Sequence, residues 1–161
     1  MRNLCSLFLT LALLSACDAQ RIEKLEEGVA TEYDVRKQFG EPVQITERAD
    51  GSKLLEYPRQ PEGRTNYLIE IGSDGKMSAL RQLLTPTNFA KVLPGTSQDA
   101  VRRMLGRPAR TWNFPTKPDE DVWDWKFQDG QAKKVFSATF DRDQKVLSSS
   151  VTDERDDQPG R

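Results

Sequence analysis

One arrangement of apolar and polar positions occurs twice in this chain. Val35 and Phe39 lie four residues apart, as do Val101 and Leu105, a spacing that sets both apolar side chains on one face of a helix. Thr31 and Ser97 stand ahead of these pairs as helix caps, and Asp34 and Asp99 favour the positive end of the first turn. Gly40 and Gly106 follow where a helix ends in a left-handed residue, and Pro42 and Pro108 bar its continuation. The pattern then switches to period two. Leu55-Glu56-Tyr57 corresponds to Trp123-Asp124-Trp125, and Tyr67, Ile69 and Ile71 correspond to Phe136, Ala138 and Phe140, as half-buried strands require. Gly72-Ser73-Asp74-Gly75 and Asp141-Arg142-Asp143-Gln144 read as turns leading into strands from Met77 to Leu83 and from Val146 to Val151.

In front of each capped helix is a shorter apolar segment, Ile22 to Leu25 and Phe89 to Leu93, read as a helical turn beneath the main helix. The expected fold class is therefore α+β, built from two tandem helix-helix-antiparallel-sheet units at a period of about 66 to 69 residues. The first unit is expected over residues 22–84 and the second over 88–152, joined through Thr85 to Asn88, with a polar tail over 153–161.

The first sixteen residues follow another rule. Arg2 gives a positive start, Leu4 to Leu14 an apolar run, and Ser15-Ala16 the small residues of a cleavage site before Cys17. The run is too short to span a bilayer. Leu14-Ser15-Ala16-Cys17 reads as a lipobox, so 1–16 is expected to be a lipoprotein signal peptide, Cys17 the lipidated residue and 17–21 a tether. Each acyl methylene buried in the bilayer contributes about 0.8 kcal/mol, so two or more chains hold a protein there. Asp18 after the cysteine resembles an inner-membrane retention signal.

Composition narrows the chemistry. Lysine and arginine number 24 against 25 acidic residues, a net charge of -1 that offers no basic field for nucleic acid. There is no histidine, and the two cysteines are Cys5, lost with the signal, and Cys17, which would carry lipid. The folded part thus has neither the commonest general base nor a thiol for a disulfide, metal or nucleophile. The chain is read as a non-enzyme with no cofactor, no metal and no small-molecule substrate. An envelope hydrolase working through Asp or Glu is the least favoured reading. The run Asp119-Glu120-Asp121, near Asp124, lacks the ligand order of a calcium loop and reads as a solvated loop.

Trp123, Trp125 and Phe127 form a period-two row assigned to the core. Trp112 and Phe114, placed in a loop before Pro115, are the contact candidates, together with Thr46 to Lys53 in the first copy. Arg102, Arg103, Arg107 and Arg110 make a basic face. The partner-binding set is accordingly Trp112, Phe114, Arg107 and Arg110.

Taken together, Gly28 to Pro42 and Gly95 to Pro108, with the lipobox and the aromatic strands, resemble the BamE (SmpA/OmlA) outer-membrane assembly lipoproteins. In that family the pattern is usually present once, whereas here it occurs twice. The motif residues Gly28, Gly40, Pro42, Gly95, Gly106 and Pro108 shape helix ends and perform no chemistry. The duplication also looks like the β-lactamase-inhibitor protein fold. What the resemblance implies is a non-catalytic, lipid-anchored periplasmic interaction module supporting outer-membrane protein assembly or envelope integrity, bound to the membrane through Cys17 and to a protein partner. It points to the outer membrane, with the inner membrane open because of Asp18. The alternative is an inhibitor or sensor of a periplasmic enzyme.

Overall fold

The computed structural model describes residues 20–154. The predicted signal peptide, the lipidated Cys17 with Asp18, and the tail after Glu154 lie outside the described residues. Helices α1 (Glu32–Phe39), α2 (Pro86–Phe89) and α3 (Gln98–Leu105) accompany strands β1 (Gln44–Glu47), β2 (Lys53–Pro58), β3 (Asn66–Ile71), β4 (Met77–Gln82), β5 (Arg110–Phe114), β6 (Lys117–Asp129), β7 (Ala132–Phe140) and β8 (Val146–Asp153). The strands form two four-stranded antiparallel sheets, ordered β1-β2-β3-β4 and β5-β6-β7-β8.

This architecture corrects the expected fold class. The protein is mostly β and does not consist of two helix-helix-sheet units. The segment Ile22 to Leu25 contributes only the helical end at residues 20–22, and Phe89 to Leu93 only the last residue of the four-residue α2. Neither apolar run is long enough to nucleate a helix that competes with the strands. Sequence reasoning left each sheet at three or four strands without placing β1 or β5, and both sheets have four.

By their contacts the described residues divide into two compact units, one holding 20–55 with Ile69–Leu80, the other Glu56–Leu68 with 81–154. In the first, the Thr31 hydroxyl accepts from the Asp34 amide at 3.3 Å, and the Asp34 carboxylate accepts in return from the Thr31 amide at 3.0 Å, a reciprocal capping box. Gly40 ends α1 at φ 82°, a conformation that side-chain-bearing residues rarely adopt. Val35 and Phe39 are buried, as are Leu55, Ile69, Ile71 and Met77.

In the second unit, the Ser97 hydroxyl accepts from the Ala100 amide at 3.3 Å and caps α3. Val101 and Leu105 then pack with Phe89, Trp125, Phe127, Phe136, Ala138, Phe140 and Val146 in one apolar core. Phe89 stacks on Phe136 with centroids 4.4 Å apart, and Trp125 donates its indole N–H to the Gly106 carbonyl at 3.0 Å. Gly106 turns at φ 73°, and a Cβ there would come within 3.0 Å of the Asn66 amide nitrogen.

The β2–β3 hairpin tip is fastened within this unit by four side chains. Asn66, fully buried, donates to the carbonyls of Leu105 at 2.7 Å and Arg107 at 2.9 Å, satisfying groups that the end of α3 leaves open. Glu56 accepts from Arg102 at 3.0 Å. The Gln60 side-chain amide donates to the Lys126 carbonyl at 2.7 Å and accepts from the Lys126 amide at 3.2 Å, so it completes the β6 backbone as a neighbouring strand would. Arg64 pairs with Glu154.

Candidate functional site

Alternation along β6 divides two environments. Trp123, Trp125 and Phe127 turn toward the core, with Trp123 half-buried against Phe140. Val122, Asp124 and Lys126 point to the opposite face. Strand register then brings distant residues into rows across that face. Arg110 lies opposite Asp124, Asp124 opposite Ser137 and Ser137 opposite Ser150, while Lys126 lies opposite Val135 and Val135 opposite Thr152.

Asp124 is the hub. It is only 5% exposed, and its Oδ2 accepts from Arg110 Nε at 3.1 Å, Arg110 Nη2 at 2.8 Å and Trp112 Nε1 at 2.8 Å. Its Oδ1 accepts from the Ser137 hydroxyl at 2.7 Å. A buried carboxylate is tolerable only with such partners, and here the partners are thereby fixed in turn. The Arg110 guanidinium rests 5.4 Å from the centroid of Trp112, and Phe114 meets the same ring edge-on at 4.6 Å.

A cavity of about 740 Å³ opens over this hub, bounded by Arg110 and Trp112 on β5, Asp124 and Lys126 on β6, Val135 and Ser137 on β7, and Thr152 to Glu154 at the end of β8. Pro61, carried by the Gln60 anchor and joined to it by a cis peptide bond, gives it a further wall. Lys126 reaches Glu154 at 3.1 Å, and Arg64 binds the same carboxylate. Burial works to raise the Glu154 carboxyl, but the hydrogen bonds from Arg64 and Lys126 outweigh it and hold the group below the ordinary glutamate range. A second hollow of about 360 Å³ is bounded by Gln98, Thr111, Trp112, Asn113, Asp121 and Trp123.

The sequence-derived contact residues separate on this frame. Arg110 and Trp112 meet at the hub, and Phe114 joins them through the Trp112 ring. Arg107 stands exposed at the exit of α3 and does not line the cavity. Trp112 and Phe114 occupy the strand β5, not a loop, and Asp119 to Asp121 lie within β6, also not a loop. The motif glycines Gly28 and Gly95 turn at φ 78° and 84°, and Pro42 and Pro108 follow the helix-ending glycines. Sequence reasoning did not single out Ser137, Gln60, Lys126 or Glu154, and it read Asp124 as the acid between two strand tryptophans and a neighbour of an acidic run, without making it a site residue. The available signal was an acid between two tryptophans of a strand, which has to face away from the core they fill. Among the described residues no group of three or more Asp, Glu, Cys or His is placed to hold a metal ion, and no helix is long and apolar enough to cross a membrane.

No family model matches the chain, and no curated protein matches it. Two solved structures are similar to it. One is a DUF4309 family protein (YjgB) from Bacillus subtilis, at 19% identity and a TM-score of 0.33, covering 84% of this chain and 86% of the other. The second is an extracellular protein containing an SCP domain from Bacillus anthracis, at 9% identity and a TM-score of 0.31, covering 83% of this chain and 45% of the other. Neither likeness is close enough to carry an inference about fold or function. The resemblance to BamE is overturned: no family model and no curated protein supports it, and neither similar structure is a BamE protein.

Proposed function

We propose that this protein is a non-catalytic interaction module of the cell envelope, anchored by acyl chains on Cys17 and facing the periplasm. The anchor rests on the lipobox pattern Leu14-Ser15-Ala16-Cys17. The absence of catalysis rests on one observation, the commitment of the Asp124 carboxylate. A general base needs a lone pair within reach of a substrate proton, whereas Asp124 is buried and accepts four hydrogen bonds that hold Arg110, Trp112 and Ser137 in place. The residues exposed above it have fixed shape and donor direction, which serve recognition.

The test of the anchor is intact-mass analysis of chain purified from membranes, alongside a Cys17→Ala variant. The expected result is a mature chain that starts at Cys17 with the added mass of acyl groups, and a variant that leaves the membrane fraction. A wild-type chain retaining Met1, or starting at Cys17 without fatty acid, would overturn the reading. A contribution to envelope integrity predicts that deletion sensitises cells to detergents and large antibiotics. An unaltered barrier would remove that part.

A further inference from the structure

We propose that the cavity over Asp124 is a binding site for a neutral saccharide, a short stretch of an envelope glycan chain. The inference gives a partner chemistry to the interaction module proposed above and rests on that reading for its cellular setting, but not for its test.

Three features of the cavity select the ligand. The first is charge: Arg110 is paired with Asp124, and Lys126 with Glu154, so the cationic side chains are already neutralised within the site. A phosphate or carboxylate ligand would have to displace those carboxylates, and an organic cation would have to displace Arg110 and Lys126 or draw the lining Asp153 away from Lys134, 3.8 Å from it. A neutral ligand disturbs none of these pairs.

The second is unused hydrogen-bonding capacity. Arg110 uses Nε and Nη2 on Asp124 while its side chain remains 61% exposed, so Nη1 faces no protein acceptor. The Ser137 hydroxyl donates to Asp124 and keeps its acceptor lone pairs, and Thr152 lines the cavity with its hydroxyl exposed. Donors and acceptors thus alternate across a few ångströms, as the hydroxyls of a sugar ring do.

The third is the ring of Trp112. Its N–H is fastened to Asp124, Arg110 lies over the ring and Phe114 meets it edge-on, which sets a rigid, half-buried aromatic ring in the cavity wall beside polar groups. Sugars present C–H faces alternating with hydroxyl edges, and they need that combination. The cavity volume, about 740 Å³, falls in the range of about 300–1,000 Å³ typical of sites for small ligands. A protein partner would favour an apolar centre rimmed by polar groups, and here the polar groups hold the centre.

The test uses the full chain as purified from cells, in a zwitterionic detergent free of sugar head groups, titrated with chitotetraose and separately with maltotetraose by calorimetry and tryptophan fluorescence. Saturable binding of either sugar supports the proposal, and preference between them separates an amino-sugar polymer from a glucose polymer. Trp112→Ala is expected to abolish the fluorescence change and weaken binding by about tenfold or more. Asp124→Asn is expected to weaken it by a similar factor, since Arg110 and Trp112 lose a charged acceptor. Because a change at the buried Asp124 risks unfolding, Thr152→Trp provides a second variant, which fills the cavity from an exposed position and should block binding with the circular dichroism spectrum unchanged. Failure of both sugars to bind at millimolar concentration, undiminished binding by Trp112→Ala and folded Thr152→Trp, or photocrosslinking from position 112 to an envelope protein and not to glycan, would each overturn it. Loss of the lipid anchor would sink the proposed function and leave this titration unaffected.

Discussion

The two four-stranded sheets share a frame and differ in what their faces carry. Each follows a capped helix of equal length that ends in a positive-φ glycine, and each cap residue makes an isolated bridge to the turn before the last strand, Thr31 to Lys76 and Ser97 to Lys145. Counting from the helix-ending glycine, Arg110 and Trp112 in β5 correspond to Gln44 and Thr46 in β1, and in the matched triplets Trp123-Asp124-Trp125 and Leu55-Glu56-Tyr57 Asp124 corresponds to Glu56. The first copy therefore has neither the guanidinium nor the indole, and its acid binds Arg102 on α3 instead of organising a strand face. β6 also runs over thirteen residues against six in β2, which gives the second sheet room for a cavity. The shared positions govern helix ends and core. Those that differ line the cavity, so the proposed site sits on one copy of a repeated frame.

The largest effect expected from breaking this comparison lies in the core. Trp125 is fully buried and bonded to the Gly106 carbonyl, so Trp125→Ala should cost about 3–5 kcal/mol in urea unfolding. Tyr57→Ala at the matching first-copy position also removes a buried ring, but a smaller one, and should cost less. Equal losses would mean that the second core is no more dependent on its aromatic row than the first.

Next is the hairpin fastening. Asn66→Ala deletes two bonds to the end of α3 and leaves the carbonyls of Leu105 and Arg107 unsatisfied, for an expected loss of about 1–3 kcal/mol. The fall should appear in thermal unfolding, and amide exchange should rise at the exit of α3. Unchanged stability would show that water replaces the asparagine without penalty.

The sequence made the frame legible for a physical reason: caps, helix-ending glycines and apolar periodicity are local signals. Thr31, Gly40, Ser97 and Gly106 announce helix ends without reference to anything distant, and Tyr67-Ile69-Ile71 and Phe136-Ala138-Phe140 announce strands by alternation alone. β1 was not legible because all four of its residues are exposed, and β5, also largely exposed, shows the alternation only over Trp112-Asn113-Phe114, too short a run beside Pro115 to be told from a loop. The balance of helix and strand was misjudged because α2 forms a single turn where a packed helix was expected. The site was half legible. Trp112 and Arg110 stood out by type, but their meeting on Asp124 depends on the register of β5 against β6 and of β6 against β7, a non-local property. Gln60 and Glu154 come from segments remote in sequence and carried no local signal.

The caps offer a finer contrast. Thr31→Ala and Ser97→Ala should each cost about 1 kcal/mol. Thr31 should be the more sensitive, because Asp34 closes a reciprocal box around it while Ser97 makes only the forward bond. A greater loss at Ser97 in matched denaturation curves would show that the box adds nothing.

The smallest effect is electrostatic, and it separates the two units by acid. In the first unit, hydrogen bonds from Lys53 and then Arg36 lower the Glu32 carboxyl, with burial opposing them. In the second, burial raises Glu154 and the bonds from Arg64 and Lys126 more than reverse it. Both carboxyls therefore ionise at lower pH in the folded chain than in the unfolded one. Their contribution is complete above the ordinary glutamate range and fades as pH falls through the depressed folded values, where protonation favours the unfolded chain. Glu32→Gln and Glu154→Gln should each flatten that part of the stability profile, and the double variant should flatten it further, since the two clusters share no residue. Partly exposed ion pairs contribute little, up to about 1 kcal/mol, so the readout is the slope of stability against pH and not the midpoint at neutrality. A slope unchanged in both single variants would place the acid sensitivity of the chain on other carboxylates, Asp34 and Asp50 first among them, since their carboxyls are also held low by hydrogen bonds from Thr31 and Ser52.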